Sequence, residues 1–244
     1  KQEADSQWFA TREAAILAAL CAAVWFWTAG FWDLRGPDEG RYVQVAKEML
    51  NSGRWFAPTI FGQAYDEKPP LPFWMLAGML RLNGGEVSSW ALRLPSILFA
   101  TLAVLLCFVV GRRLFGTRAG FFAALALLAS AQFLEDAPTA KLDMIFTGWI
   151  MLSLAAWLTA PASGPLSPAR ALWMWGALAL AILTKGPLAL VVVLGAIAGE
   201  AIAQRSWGPF RRARCAHGIT AVTLLLGGWL AVEAEGKGFA FVLN

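Results

Sequence analysis

The chain has 244 residues, of which 58% are hydrophobic and 15% charged, whereas about 25% of a typical soluble domain is charged. It carries 13 Trp and 16 Phe against 2 Tyr and 1 His, more apolar surface than a soluble domain of this length can hide. This composition reads as an integral membrane protein and excludes a disordered chain or a nucleic-acid-binding module; the net charge of +4 needs no acidic partner, because membrane proteins carry basic cytoplasmic loops.

Charge-free runs place the spans in chain order. Ala14 to Trp32 is the first, too long and too poor in small residues at its end for a cleaved signal peptide. Leu94 to Gly111, Ala119 to Leu134 and Met144 to Thr159 follow, and Gly218 to Val232 closes the set. Each approaches the ~20 residues that a 30 Å hydrocarbon core requires, the shorter ones with their flanks included. Between them, Ala169 to Gln204 is either one long helix with a buried Lys or two helices turning at Lys185-Gly186-Pro187. The positive-inside rule favours the hairpin, because a single span would throw the four arginines of Arg205 to Arg214 outside. The expected fold is therefore an all-α polytopic membrane domain over 1–244 with seven spans and a cytoplasmic amino terminus. On the inner side lie the Arg112–Arg118, Arg170 and Arg205–Arg214 loops, with Glu3, Asp5, Glu13 and Glu200 as the inner acids. On the outer side lie one long loop, residues 33–93, and short turns at Glu135–Asp143, at Lys185 and after Glu233. Cys21 and Cys107 sit in apolar runs and Cys215 in a basic loop, so no disulfide framework is expected. The absent initiator Met and the end at Asn244, just after Gly236-Lys237-Gly238-Phe239, read as cut termini.

Within the outer loop, Gly36-Pro37-Asp38-Glu39-Gly40-Arg41 reads as a helix start, with Pro early and carboxylates in the first turn, where the dipole is positive. Tyr42, Val45, Ala46, Met49 and Leu50 recur at helical spacing, and Asn51-Ser52-Gly53 ends the helix. Such an amphipathic helix is expected to lie flat on the membrane, with Trp55 and Phe56 in the aromatic belt. In Tyr65-Asp66-Glu67-Lys68-Pro69-Pro70-Leu71-Pro72 the prolines stiffen the backbone after the charges. Phe73 to Leu80 is too short to span and reads as a second interfacial helix. Asp143, beside Lys141, tops the fourth span. For any one of these charges a solvated loop position is the plain alternative. As a group, acids at the bilayer edge can act as bases or hold a divalent ion, and Lys and Arg can hold a phosphate. Trp173, Trp175 and Trp229 read as interfacial anchors and Ala123 to Ala131 as helix-packing surface. With His217 standing alone, a zinc site is not supported.

With these motifs the sequence resembles the lipid-linked-sugar glycosyltransferases of the GT-C superfamily, in the bacterial protein mannosyltransferase and aminoarabinose (lipid A) transferase group. The matching pieces are Gly-Pro-Asp-Glu-Gly-Arg-Tyr at 36–42, Ser-Gly-Arg-Trp at 52–55, Tyr-Asp-Glu-Lys-Pro-Pro-Leu at 65–71, Lys-Leu-Asp at 141–143 and Leu-Thr-Lys-Gly-Pro at 183–187. They stand in the family's order across about 150 residues. The resemblance implies a fold of eleven to thirteen membrane helices, two juxtamembrane helices in the first outer loop and a soluble periplasmic domain, of which this chain is the amino-terminal half. It implies an inner-membrane enzyme working on the periplasmic face. A sugar would pass from a polyprenyl-phosphate donor to lipid A, another glycolipid, a glycan or a protein, with inversion. Asp38 resembles the catalytic acid and Asp143 the second acid near the site. Arg41, Tyr65, Lys68 and Lys185 resemble the groups around the donor phosphate, Glu39 a supporting acid, and Glu67 a support that is also a candidate ligand for a divalent metal ion. The partners so implied are the donor lipid, the acceptor and membrane lipids, with no nucleic acid.

Two readings of other classes compete. A transporter or flippase for a charged lipid would use Lys185, Asp143 and Lys68 as a path, since ionisable groups near the bilayer are usually functional. Against it, the acids cluster in the outer loop, and no pair of broken helices occupies matching halves. The other is a non-catalytic assembly subunit.

Overall fold

A computed structural model describes residues 2–31, 33–34, 36–161 and 164–237, and side chains between residues 11 and 231. Trp32 at the end of the first expected span, the side chains of Glu3, Asp5 and Glu233, and the 238–244 tail lie outside the described residues.

The described chain is helical apart from one small hairpin. Helix α1 (Gln2–Ala29) leads to α2 (Gly36–Ser52), the strands β1 (Thr59–Ile60) and β2 (Gln63–Ala64), and α3 (Leu71–Leu82). Then come α4 (Ser89–Phe115), α5 (Thr117–Leu128), α6 (Ala131–Asp136) and α7 (Asp143–Leu158). The last four are α8 (Pro168–Lys185), α9 (Leu188–Gln204), α10 (Gly208–Arg212) and α11 (Cys215–Lys237). By length and composition, α1 over Thr11–Ala29 and α4 can cross a membrane; α5, α7, α9 and α11 are apolar but shorter. The run from Ala119 to Leu134 is not one helix. It breaks at Ala129-Ser130, so α5 has 12 residues and rises roughly 18 Å, well short of a hydrocarbon core.

Ala169 to Gln204 is a hairpin. Gly186 takes a φ of +90°, which side chains disfavour, and Pro187 follows as the residue before α9. Gly164 and Pro165, just ahead of α8, line one hollow with Glu200 and Gln204 near the end of α9, so the two helices run antiparallel.

Three apolar cores hold the molecule. The first joins α1, α4, α5 and α6 through Leu17, Trp25, Phe108, Ala124 and Phe133. There α4 and α5 touch backbone to backbone, since a Cβ at Gly111 would come within 2.7 Å of the Gly120 Cα. The second joins α7, α8, α9 and α11 through Trp157, Trp175, Leu178, Val193 and Val222. Trp175, expected as an interfacial anchor, is instead buried. Its indole N–H donates to the Ala213 carbonyl at 2.8 Å, and its ring occupies the space a side chain at Gly218 would need.

The third core belongs to the 33–93 loop. The apolar stripe of α2 (Tyr42, Val43, Val45, Ala46, Met49) packs on Phe73, Leu76, Ala77 and Leu80 of α3, and on Leu92, Ala140 and Leu142. The expected flat helix therefore turns its apolar face to protein rather than to lipid. Each large side chain fully buried this way contributes about 1.5–3 kcal/mol, so the loop has a core of its own. The Trp74 indole also donates to the Trp55 carbonyl.

Candidate active site

The first turn of α2 holds Asp38 and Glu39 on a helix start that follows Gly36, whose φ is +68°. Their neighbourhoods are opposite. Glu39 is fully buried against Arg93, itself 1% exposed. Arg93 Nε donates to Glu39 Oε1 and Nη2 to Oε2, both at 3.0 Å. The same guanidinium donates to the Ala29 carbonyl at 2.8 Å and the Asp33 carbonyl at 2.9 Å, while the Ala140 N–H donates to Glu39 Oε1. One ion pair thus ties together the end of α1, the start of α2, the start of α4 and the segment before Asp143. The planar fork of Arg suits that bidentate grip; Lys could not reproduce it.

Asp38, one residue earlier, is half-exposed, and its carboxylate lies 3.9 Å from Arg41 Nη1. It opens on a hollow of about 260 Å³ shared with Glu135, Thr139 and Lys141. Lys141 is held by the buried Asp136 at 3.3 Å. Burial lowers its pKa, but its hydrogen bond and charge pairing with Asp136 outweigh that, so it stays cationic with a raised pKa.

Arg41 reaches across to the other motif of the loop, its Nη1 donating to Glu67 Oε2 at 3.2 Å. The Tyr65 hydroxyl donates to the same oxygen at 3.4 Å. The hydrogen bond with Tyr65, ahead of the charge of Glu67, holds the Arg41 pKa above its ordinary value. Burial, ahead of Glu67, raises that of Tyr65, so its phenol stays protonated at neutral pH. On the far side, Lys185 at the end of α8 meets Asp143 at the start of α7, with Nζ 2.5 Å from Oδ1 and 5.9 Å from the Phe146 ring centroid.

The structure brings Asp38, Arg41, Tyr65 and Glu67 into one cluster and Asp143 with Lys185 into another. Tyr42 lies between the two. Burial, followed by the charge of Asp38, then Tyr65 and Asp143, pushes its hydroxyl up to about 12. It is a neutral O–H donor in the field of both acids. Of the four expected phosphate-binding groups, Arg41, Tyr65 and Lys185 are engaged with carboxylates. Among the described residues Lys68 makes no hydrogen bond or ion pair. Glu67, the candidate metal ligand, is turned toward Arg41 and Tyr65, and among the described residues no three Asp, Glu, His or Cys side chains gather as metal ligands.

Three contributors were not legible as site residues. Tyr42 read as part of an apolar stripe and as the end of the 36–42 motif, with no role of its own, and Arg93 as the charge bounding a span. Glu48, on the polar side of α2, grips the turn of the hairpin, where Phe61 and Gly62 both have positive φ. Its carboxylate accepts from Thr59 Oγ1 at 2.7 Å and from the amides of Phe61 at 2.6 Å and Gly62 at 3.2 Å. The turn is a two-residue one between β1 and β2, paired Thr59 with Ala64 and Ile60 with Gln63. It delivers the chain to Tyr65, Glu67 and Lys68.

Burial raises the Glu48 pKa, but hydrogen bonds from Gln44, Thr59, Gly62 and Phe61 outweigh it and bring the carboxyl down from 4.5 to about 2. A depressed folded-state pKa stabilises above the ordinary value, and the contribution fades as pH falls from about 4.5 toward 2. Hydrogen exchange at the Phe61 and Gly62 amides should therefore quicken over that window, once corrected for intrinsic rates. In Glu48→Gln those amides should exchange on the order of tenfold faster at pH 7, with no further pH dependence. Equal protection in the two proteins at pH 7 would remove Glu48 from this role.

The signature of the dolichyl-phosphate-mannose-protein mannosyltransferase family covers residues 67–229. The chain belongs to this family. An undecaprenyl phosphate-alpha-4-amino-4-deoxy-L-arabinose arabinosyl transferase of Edwardsiella ictaluri is 35% identical to it over 175 residues, 70% of this chain and 31% of the relative. The crystal structure of apo ArnT from Cupriavidus metallidurans matches 93% of this chain with a TM-score of 0.80 and 31% identity. The same protein bound to undecaprenyl phosphate matches 91% with a TM-score of 0.79. The chain spans about a third of the length of the Edwardsiella relative and 42% of the apo ArnT chain. The family's helical GT-C architecture is thereby shown for this chain.

Proposed function

We propose that the protein containing this chain transfers a sugar from a polyprenyl-phosphate donor to an acceptor at the outer face of the bacterial inner membrane. The observation that carries this reading is the likeness, at 31% identity over nine-tenths of the chain, to a transferase solved with undecaprenyl phosphate. The arabinosyl transferase relatives make undecaprenyl-phosphate-linked 4-amino-4-deoxy-L-arabinose the donor to try first, with lipid A as the acceptor that the resemblance names. Helices α1, α4, α5, α7, α8, α9 and α11 would cross or enter the membrane, and α2 and α3 would sit at its outer edge. The arginine-rich end would face the cytoplasm.

In the reaction, the acceptor oxygen attacks the anomeric carbon in line, the bond to the lipid phosphate breaks, and the phosphate leaves with the electron pair, inverting the anomeric configuration. Charge grows on the departing phosphate, so preorganised cations there lower the barrier. Lys68, without a protein partner among the described residues, receives it. Arg41, steadied by Glu67 and Tyr65, supplies a second positive charge. Asp38 takes the acceptor proton, or orients the nucleophile where the acceptor is a phosphate. Asp143 and Lys185 hold the opposite side, with the Tyr42 hydroxyl between the acids as a neutral donor.

Native mass spectrometry of the full-length parent tests the donor site. Wild type should retain undecaprenyl phosphate through mild detergent, and Lys68→Ala should retain at least about tenfold less, because one charge-assisted contact to a phosphate is worth roughly 1.5–3 kcal/mol. Equal retention would remove Lys68 from the site. Absence of the lipid from both proteins, with another anionic lipid held by wild type and lost in Lys68→Ala, would shift the reading to a transporter.

A further inference from the structure

The opposite end of the molecule carries a feature that sugar transfer does not use. Helix α8 separates it from the Asp143–Lys185 pair by 18 residues, a rise of roughly 27 Å. There an open hollow of about 620 Å³ lies between α10 and the start of α11, bordered by Arg211, Arg214 and His217 on one side and Trp207 and Phe210 on the other. The two aromatic rings pack at 5.5 Å between centroids, and Trp207 is 75% exposed. Among the described residues the Arg211 guanidinium makes no ion pair or hydrogen bond. Arg214 uses only its Nε, donating to the Leu166 carbonyl at 2.9 Å. Glu200, the nearby acid, is already paired with Arg212 at 3.3 Å.

Arg214 and His217 also border a second space of about 270 Å³ that runs along α8 and α11. Its wall is apolar, with Gly176, Ala179, Gly218 and Ala221 leaving a slot between the helices and Leu172 and Leu225 at its lips. Its floor is the buried Trp175, which fits there because residue 218 has no side chain. A cationic hollow thus adjoins an apolar slot along α8 and α11, with Arg214 and His217 on the border of both.

We infer that this end binds an anionic phospholipid, its phosphate at Arg211, Arg214 and His217 and one acyl chain in the α8–α11 slot. The parts match the chemistry of such a lipid. Basic pockets between membrane helices hold anionic head groups, exposed Trp marks the interface, and an apolar slot suits a chain that must not meet water. A free phosphate would explain the arginines but not the slot, and a neutral lipid would explain the slot but not the arginines. The inference stands apart from the outer site, and neither depends on the other.

The test is native mass spectrometry of the delipidated full-length parent titrated with dimyristoyl phosphatidylglycerol or dimyristoyl phosphatidylcholine. Wild type is expected to hold one phosphatidylglycerol about tenfold more tightly than phosphatidylcholine. Arg211→Glu should abolish that preference, since the exposed side chain has no partner among the described residues to lose. Gly176→Leu should weaken phosphatidylglycerol at unchanged charge; nothing lies within 4 Å of a Cβ built there, so the new side chain enters the slot without a clash. Undecaprenyl phosphate binding, titrated separately and read at its own mass, should be the same in all three proteins. Equal affinity for the two lipids in wild type would overturn the inference. So would a preference that survives both variants, or displacement of phosphatidylglycerol by millimolar inorganic phosphate with Gly176→Leu silent, which would mark a phosphate site without a lipid. A Gly176→Leu parent that unfolds in detergent, with no lipid held by wild type, would show the slot filled by protein.

Discussion

Asp38→Asn in the full-length parent is expected to abolish sugar transfer while the protein still folds and inserts. The structural loss is small because Asp38 is half-exposed and the charge it pairs with, Arg41, lies 3.9 Å away and is also held by Glu67. Surface pairs of this kind are worth about 0–1 kcal/mol, and Asn keeps the size of the side chain. The chemical loss is large. Asn can neither take a proton nor carry the negative charge that orients a nucleophile, and a positioned base contributes roughly 10²–10⁴-fold. The check is turnover with a polyprenyl-phosphate sugar donor, beside thermal unfolding in the same detergent. Substantial retained turnover would take Asp38 out of the chemistry. Lost turnover with an equally lowered melting temperature would make it a structural residue instead.

The second large effect is expected at the buried pair. Arg93→Ala should destabilise the parent by about 3–5 kcal/mol, because removing one partner leaves the other charge buried without compensation. The loss extends beyond Glu39, since the Ala29 and Asp33 carbonyls lose the same donor. Arg93→Lys should recover only part of this, as an ammonium cannot span both carboxylate oxygens and two carbonyls at once. Glu39→Gln should also be costly, although it keeps one acceptor for the Ala140 N–H. Thermal unfolding of the purified parent reads all three, and a melting temperature of Arg93→Ala within a degree of wild type would refute the assignment. Where Arg93→Lys remains folded, its turnover should fall more than its donor binding. The pair holds the start of α2 against the segment before Asp143, and so spaces the two acids without touching a substrate.

The amino-acid sequence by itself was enough for the membrane character, the helix start at Pro37, the helix over Phe73 to Leu80 though not its first turn at Leu71-Pro72, the turn at Gly186-Pro187 and the motifs that mark the family. Each of these is local. Composition, fixed φ angles and short spacings act wherever the chain finds itself. Which charges face each other was settled only in three dimensions. Asp38 and Glu39 are adjacent acids on one helix turn, yet one opens on a hollow and the other is sealed against Arg93, 54 residues away. Their sequence environments are nearly the same; the difference comes from the packing of α1 and α4 behind the first turn of α2. Tyr42 and Trp175 read as a stripe residue and an interfacial anchor until the packing of other helices placed one between two acids and the other against a glycine. The Glu48 grip on the hairpin likewise joins a helix to a turn 13 residues on. Burial and long-range pairing depend on which surfaces meet, and periodicity along a single segment carries no record of its neighbours.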